Sequence, residues 1–197
     1  MKKNLTKRIV VTGIIAAIYT VLTMVLAPIS FGAVQFRVSE LMVLLAFVDP
    51  VYIVGLTLGC MLSNLLGGFG LIDIVFGSLA TLIAGGATYM TKMLIKNQKT
   101  ALIIGSLWPT IFNGIIIGWV LKVTINLPLI PSMLSVAFGE FVVVTIVGVP
   151  LYMLIEKKYG RLIAPFPPCP CGARRGAGAE GGPDRPPSGP PFRVRCA

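Results

Sequence analysis

The sequence predicts an all-α membrane protein with six transmembrane helices, and three observations predict it. The 197 residues are 55% apolar and only 12% charged, with a mean hydropathy of +0.88, where a water-soluble domain carries about a quarter charged residues. Apolar runs recur at 9–27, 39–48, 51–66, 71–91, 101–121 and 132–155, separated by Pro, Gly or charged stretches; about 20 apolar residues cross a hydrocarbon core of roughly 30 Å. The runs lack the two-residue alternation of a barrel strand, and backbone in lipid satisfies its own polar groups only as a helix or a closed barrel. Helices remain.

The first run, Ile9 to Leu26, is longer than a signal-peptide core and no small-residue cleavage site follows it, so it reads as a retained helix. The second run is too short to cross perpendicularly. Merging it with the third across Asp49-Pro50 would give five spans, and the basic residues arbitrate. Lys2, Lys3, Lys7 and Arg8 precede the first helix, Lys92, Lys96 and Lys99 separate the fourth from the fifth, and Lys157, Lys158 and Arg161 follow the last. The opposite side carries Arg37 and Lys122. Under the positive-inside rule the three basic clusters share the cytoplasmic face, which requires an even number of crossings between Arg8 and Lys92. Four crossings fit, giving six in total with both ends of the helical domain in the cytoplasm.

Small residues recur every four positions: Gly55, Gly59, Ser63 and Gly67 on the third helix, Gly77, Thr81 and Gly85 on the fourth, Gly114 and Gly118 on the fifth. Such stripes let helix backbones approach closely. On the first helix Gly13 with Ala17, or Ala16 with Thr20, offers a similar face, and there a partner protein competes with internal packing. Residues 1–164 thus form the membrane domain. Residues 165–197 hold nine of the fifteen Pro, three of the four Cys, five of the eight Arg and no Lys, a composition that builds no core and is expected to be disordered or non-native. Within that tail Gly176, Gly178 and Gly181 match GxGxxG without a strand before or a helix after, and Cys169 with Cys171 is CxC rather than CxxC.

Ionisable groups at membrane depth are costly and usually line a cavity or pathway. Glu40, Asn64 and Asp73 lie near the outer ends of their helices, while Glu140 and Asn113 lie about nine residues in, roughly 13 Å at 1.5 Å per residue. All five fall in the expected outer half, which describes a pocket open outward above an apolar floor. Structural roles compete: Glu40 can pair with Arg37, and Asp73 can cap its helix. Trp108, before Pro109, reads as an interface anchor, and Phe36 and Phe69 are placed for the outer pocket. The +10 charge follows the loops and tail of a membrane chain rather than a nucleic-acid face. The chain contains no His, no HExxH and no phosphate loop GxxxxGK[ST], so neither metal nor cofactor is implied, hydrolysis and phosphotransfer are disfavoured, and ATP would be consumed by a partner.

The stretch Val34-Gln35-Phe36-Arg37-Val38-Ser39-Glu40, then Ser63-Asn64-Leu65-Leu66-Gly67-Gly68, then Leu71-Ile72-Asp73-Ile74-Val75-Phe76-Gly77-Ser78-Leu79-Ala80-Thr81-Leu82 resembles the QueT family, over about residues 5–160. The resemblance implies a six-helix S component, the substrate-binding subunit of an energy-coupling factor (ECF) transporter. It would capture a queuosine precursor, a 7-deazaguanine, and work with a transmembrane coupling protein and two ATPase subunits. S components dock through an AxxxA pattern on the first helix, where this chain has Gly13 or Thr20 in place of one alanine. A guanine-like edge offers an N–H and an amine to one carboxylate, and an aminomethyl group offers a cation to a second. Glu40 and Glu140 can divide those roles, Asn64 and Asn113 can read the remaining groups, and Phe36 can stack on the ring.

Overall fold

The computed structural model describes residues 2–30, 36–68 and 70–163, all within one unit, Met1–Ala164. The tail beyond 164 and Phe69 lie outside the described residues. Every regular element among the described residues is helical: α1 (Lys2–Val25), α2 (Ala27–Ser30), a 3-10 helix (Val38–Phe47), α3 (Val51–Leu66), α4 (Leu71–Leu94), α5 (Gln98–Ile125), and α6 (Leu129–Glu140) continuing through a π-helical stretch (Phe141–Gly148) into α7 (Val149–Ile163). Four stretches are long and apolar enough to cross a membrane: Leu5–Val25, Leu71–Leu94, Gln98–Ile125 and Leu129–Lys158. The 3-10 helix and α3 are shorter apolar helices.

The second and third apolar runs do not merge. Pro50 has no N–H to continue a helix and disfavours helical backbone at the residue before it, and the Asp49 carboxylate instead accepts from the Val51 N–H at 2.9 Å. On the other side of the break the Val48 carbonyl, freed at the end of the 3-10 helix, accepts from Lys92 Nζ at 3.2 Å. Winding Val38–Phe47 as a 3-10 helix also lengthens it: at about 2.0 Å per residue, ten residues reach roughly 20 Å, against about 15 Å for an α-helix. That length remains below the roughly 30 Å of a hydrocarbon core.

Adjacent segments run in opposite directions. Ile53 meets Gly85 and Asn64 meets Gly77 between α3 and α4; Thr88 meets Gly105 and Phe76 meets Trp119 between α4 and α5; Gly118 meets Met133 and Gly114 meets Ala137 between α5 and α6. Helix α1 lies parallel to α3, with Thr12 on Gly55 and Ala16 on Gly59. The small-residue stripes therefore serve packing, as their spacing suggests. A Cβ at Gly59 would stand 2.7 Å from the Tyr19 Cβ and 2.9 Å from the Ala16 carbonyl, and one at Gly114 would stand 2.9 Å from the Ala137 Cβ, distances no side chain tolerates.

This register places the two small faces of the first helix differently. Ala16 and Thr20 face α3: Ala16 is buried, and the Thr20 hydroxyl, also buried, donates to the Ala16 and Gly59 carbonyls at 2.8 and 3.1 Å. Neither is available to a partner, because α3 already occupies that face. Gly13 and Ala17 point away from the bundle and are exposed, on a helix whose apolar window is only 22% buried, against 50% for α5.

Pro109 sits inside α5 and is buried. Its missing N–H leaves the Gly105 carbonyl without an intrahelical donor, and Thr88 Oγ1 of α4 donates there at 2.9 Å, the kind of replacement that lets proline persist in a membrane helix. Trp108 is tied inward as well. Its indole N–H donates to Thr91 Oγ1 at 2.8 Å and its ring stacks on Phe112, so it joins α4 to α5.

Candidate functional site

The polar groups gather where the last third of α1, the start of the 3-10 helix, the end of α3, the middle of α5 and the end of α6 converge. Glu40 and Glu140 are both completely buried, and Arg37, Asn64 and Asn113 are no more than 4% exposed. Glu40 enters at the third residue of the 3-10 helix. Its Oε1 accepts from the Tyr19 hydroxyl at 2.6 Å and from Thr81 Oγ1 at 3.4 Å. Glu140 closes α6 at the junction with the π-helical stretch, a local widening that recurs at functional sites. Its Oε1 accepts from Asn113 Nδ2 at 3.1 Å.

Asn64 organises the second half of the cluster. Arg37 donates to its Oδ1 at 2.8 Å, while its Nδ2 donates to the Asp73 carbonyl at 3.1 Å and lies 3.7 Å from Cys60 Sγ. Gly77 makes room for that amide, since a Cβ there would be 2.6 Å from Asn64 Nδ2. Asp73 occupies the first turn of α4, partly buried and within Coulombic reach of Arg37. Phe36 packs against the apolar cluster that includes Leu44, Phe47, Val143 and Val144.

Five of the seven predicted site residues, Arg37, Glu40, Asn64, Asn113 and Glu140, are thus buried polar groups of one region, with Asp73 at its rim and Phe36 on its apolar side. Two differences from the sequence reading emerge. Asn113 lies about twelve residues from the end of α5 at Ile125, and Glu140 about eleven from the start of α6 at Leu129, roughly 17–18 Å in. The pair is farther from the helix ends than the apolar runs alone suggest, because both helices extend past those runs. Arg37, counted as a flanking charge, is interior. Tyr19 and Thr81 escaped the sequence reading as carboxylate partners. The signal was present: Tyr19, Thr20 and Thr23 are the hydrogen-bonding residues of an otherwise apolar stretch, and all three are buried.

Three acceptor atoms of the cluster are left over. Glu40 Oε2, Glu140 Oε2 and Asn113 Oδ1 are buried with no hydrogen-bond partner. Each orphaned buried acceptor costs about 1–3 kcal/mol, and more when charged. All three are acceptors, so what completes them is a donor. Buried ionisable groups in an apolar helical chain mark a candidate functional site.

The chain belongs to the QueT transporter family, whose model matches residues 9–157. The queuosine precursor transporter QueT of Lactococcus lactis subsp. cremoris (strain MG1363) is 47% identical over 85 residues, covering 42% of this chain and 50% of that protein. The match spans about half of that relative's length. No solved structure matches the chain.

Proposed function

We propose that this chain is the substrate-binding S component of an energy-coupling factor importer in the cell membrane, capturing a queuosine precursor, a 7-deazaguanine, from outside. The observation that carries the reading is the trio of buried acceptors on Glu40, Glu140 and Asn113 without donors. A deazaguanine is rich in donors on one edge, and its N–H and exocyclic amine suit a carboxylate that accepts two bonds. Family membership and the QueT relative favour the same substrate.

The membrane arrangement follows as six crossings with both ends cytoplasmic. Supporting it, the beginning of α5 meets the middle of α7 through Gln98 and Glu156, next to Lys157 and Lys158, and Lys92 reaches back to the end of the 3-10 helix, so the second and third basic clusters share one end of the bundle. Glu40, at the start of the 3-10 helix, lies toward the other end. The transmembrane coupling protein docks on the exposed Gly13 and Ala17 face of α1, and two ATPase subunits supply the energy for release on the cytoplasmic side. The chain itself performs no catalysis in this scheme.

Titration of the purified chain with deazaguanines, and separately with thiamine, biotin and riboflavin, tests the proposal. Tight binding of a deazaguanine alone is expected, and mass spectrometry of copurified solute should find the same compound. Tight binding of a vitamin alone would make this an S component for another cargo, and binding of none would leave a non-transporting scaffold.

A further inference from the structure

Side-chain hydrogen bonds cross from α5 to the continuous run of α6, the π-helical stretch and α7 at Asn113 with Glu140, Ser106 with Thr145, and Gln98 with Glu156. Thr145 is the only polar side chain of the π-helical stretch Phe141–Gly148, and Ser106 is fully buried. The Ser106 hydroxyl gives its proton to the Ile103 carbonyl at 2.7 Å. Thr145 Oγ1 lies 3.1 Å from Ser106 Oγ and 3.4 Å from the Ser106 carbonyl, so its own proton crosses between the helices. Threonines in regular α-helix return the hydroxyl to the carbonyl four residues back, as Thr20, Thr81 and Thr88 do. Thr145 turns its hydroxyl to α5 instead.

The π winding explains how Glu140 and Thr145 reach the same neighbour. Side chains of an α-helix advance by about 100° per residue, so residues five apart diverge by roughly 140°. A π-helix bonds each residue to the fifth along, which brings positions 140 and 145 round to one side, both towards α5. Rewound as an α-helix, the stretch would keep Glu140 on Asn113 or Thr145 on Ser106, not both. The far end of the stretch is seated as well: a Cβ on Gly148 would stand 2.9 Å from Leu41 Cδ2 and 3.1 Å from Leu44 Cδ1 of the 3-10 helix. Glu140 Oε2 is buried without a partner, and an acceptor serves a donor only over about 2.7–3.2 Å. A small rotation of the helix at Glu140 therefore decides whether a solute donor is met.

Resting on the reading that Glu140 accepts from the captured solute, we infer that Thr145 and Ser106 are positioning residues for Glu140: their bond holds the π winding that aims the Glu140 carboxylate, and they act through that winding rather than by touching the solute.

Calorimetric titration of the purified chain with aminomethyl-deazaguanine, alongside thermal unfolding, tests the assignment. Thr145→Val keeps the shape and removes the hydroxyl, and should weaken binding about tenfold, the equivalent of one lost hydrogen bond. Thr145→Ser keeps the hydroxyl and should restore the wild-type affinity. Ser106→Ala should add no further loss in the Thr145→Val background, because the bond it serves is already gone. Thr88→Val is the control: it removes a hydroxyl bond to the neighbouring Gly105 carbonyl of α5, and should lower the unfolding temperature while leaving affinity intact. Wild-type affinity in Thr145→Val, or an equal loss of affinity in Thr145→Val and Thr88→Val, would overturn the assignment and leave the proposed function standing. Thr145→Ser binding as weakly as Thr145→Val would overturn it too, as would an additive loss from Ser106→Ala. Failure of the wild-type chain to bind any deazaguanine would remove the assignment together with the function.

Discussion

Gly77→Ala is a sharp probe of the site because the added methyl has one specific obstacle. Its Cβ would stand 2.6 Å from Asn64 Nδ2, with the next contacts at 3.8 and 3.9 Å. Normal contact for such a pair is about 3.5 Å, so the Asn64 amide must retreat by roughly 1 Å. That retreat breaks the bond from Asn64 Nδ2 to the Asp73 carbonyl and disturbs the one from Arg37 to Asn64 Oδ1, now 3.1 and 2.8 Å. A neutral hydrogen bond contributes about 0.5–1.5 kcal/mol and one to a charged group about 1.5–3 kcal/mol. The two together set an expected loss of about 2–4 kcal/mol, divided between stability and ligand affinity. Gly86→Ala in the same helix is the control, because a Cβ there meets nothing within 4 Å. Thermal unfolding in detergent and ligand titration should separate the two variants clearly. If Gly77→Ala matched Gly86→Ala in both measurements, the view that Asn64 is held in place to organise Arg37 would be wrong.

Thr88→Val should cost about 1–3 kcal/mol by stranding the Gly105 carbonyl. Most of that cost should vanish in a Pro109→Ala background, where an N–H returns to position 109; a double-mutant cycle in thermal unfolding reads the coupling. Ala17→Leu should reduce association with the coupling protein in pull-down while leaving ligand affinity unchanged, because Ala17 faces outward. Ala16→Leu should instead destabilise the chain itself, because Ala16 is packed against Gly59. For the topology, Lys96→Cys in a background without the native cysteines should react with a membrane-impermeant thiol reagent only from the cytoplasmic side, and labelling of intact cells from outside would invert the orientation.

The helical membrane class and the packing stripes were legible from sequence because each rests on a local or periodic cause, hydropathy over a span and glycine every fourth residue, while the break at Asp49-Pro50 was read from the distribution of basic residues. The site residues were legible for a related reason. Few acidic or amide side chains occur in the apolar runs, and a polar group in lipid needs a compensating purpose. Pairings were not legible. Nothing local to Tyr19 says that its hydroxyl meets Glu40, 21 positions away, or that Thr88 replaces the donor lost at Pro109. Nor does residue spacing say which small face of α1 turns inward, since Gly13 with Ala17 and Ala16 with Thr20 satisfy the same four-residue rule. Tertiary structure decided these, because a helix fixes which side chains share a face but not which neighbour that face will meet. That choice depends on close approach at Gly55 and Gly59, and it also brought two carboxylates from distant segments together beside one guanidinium.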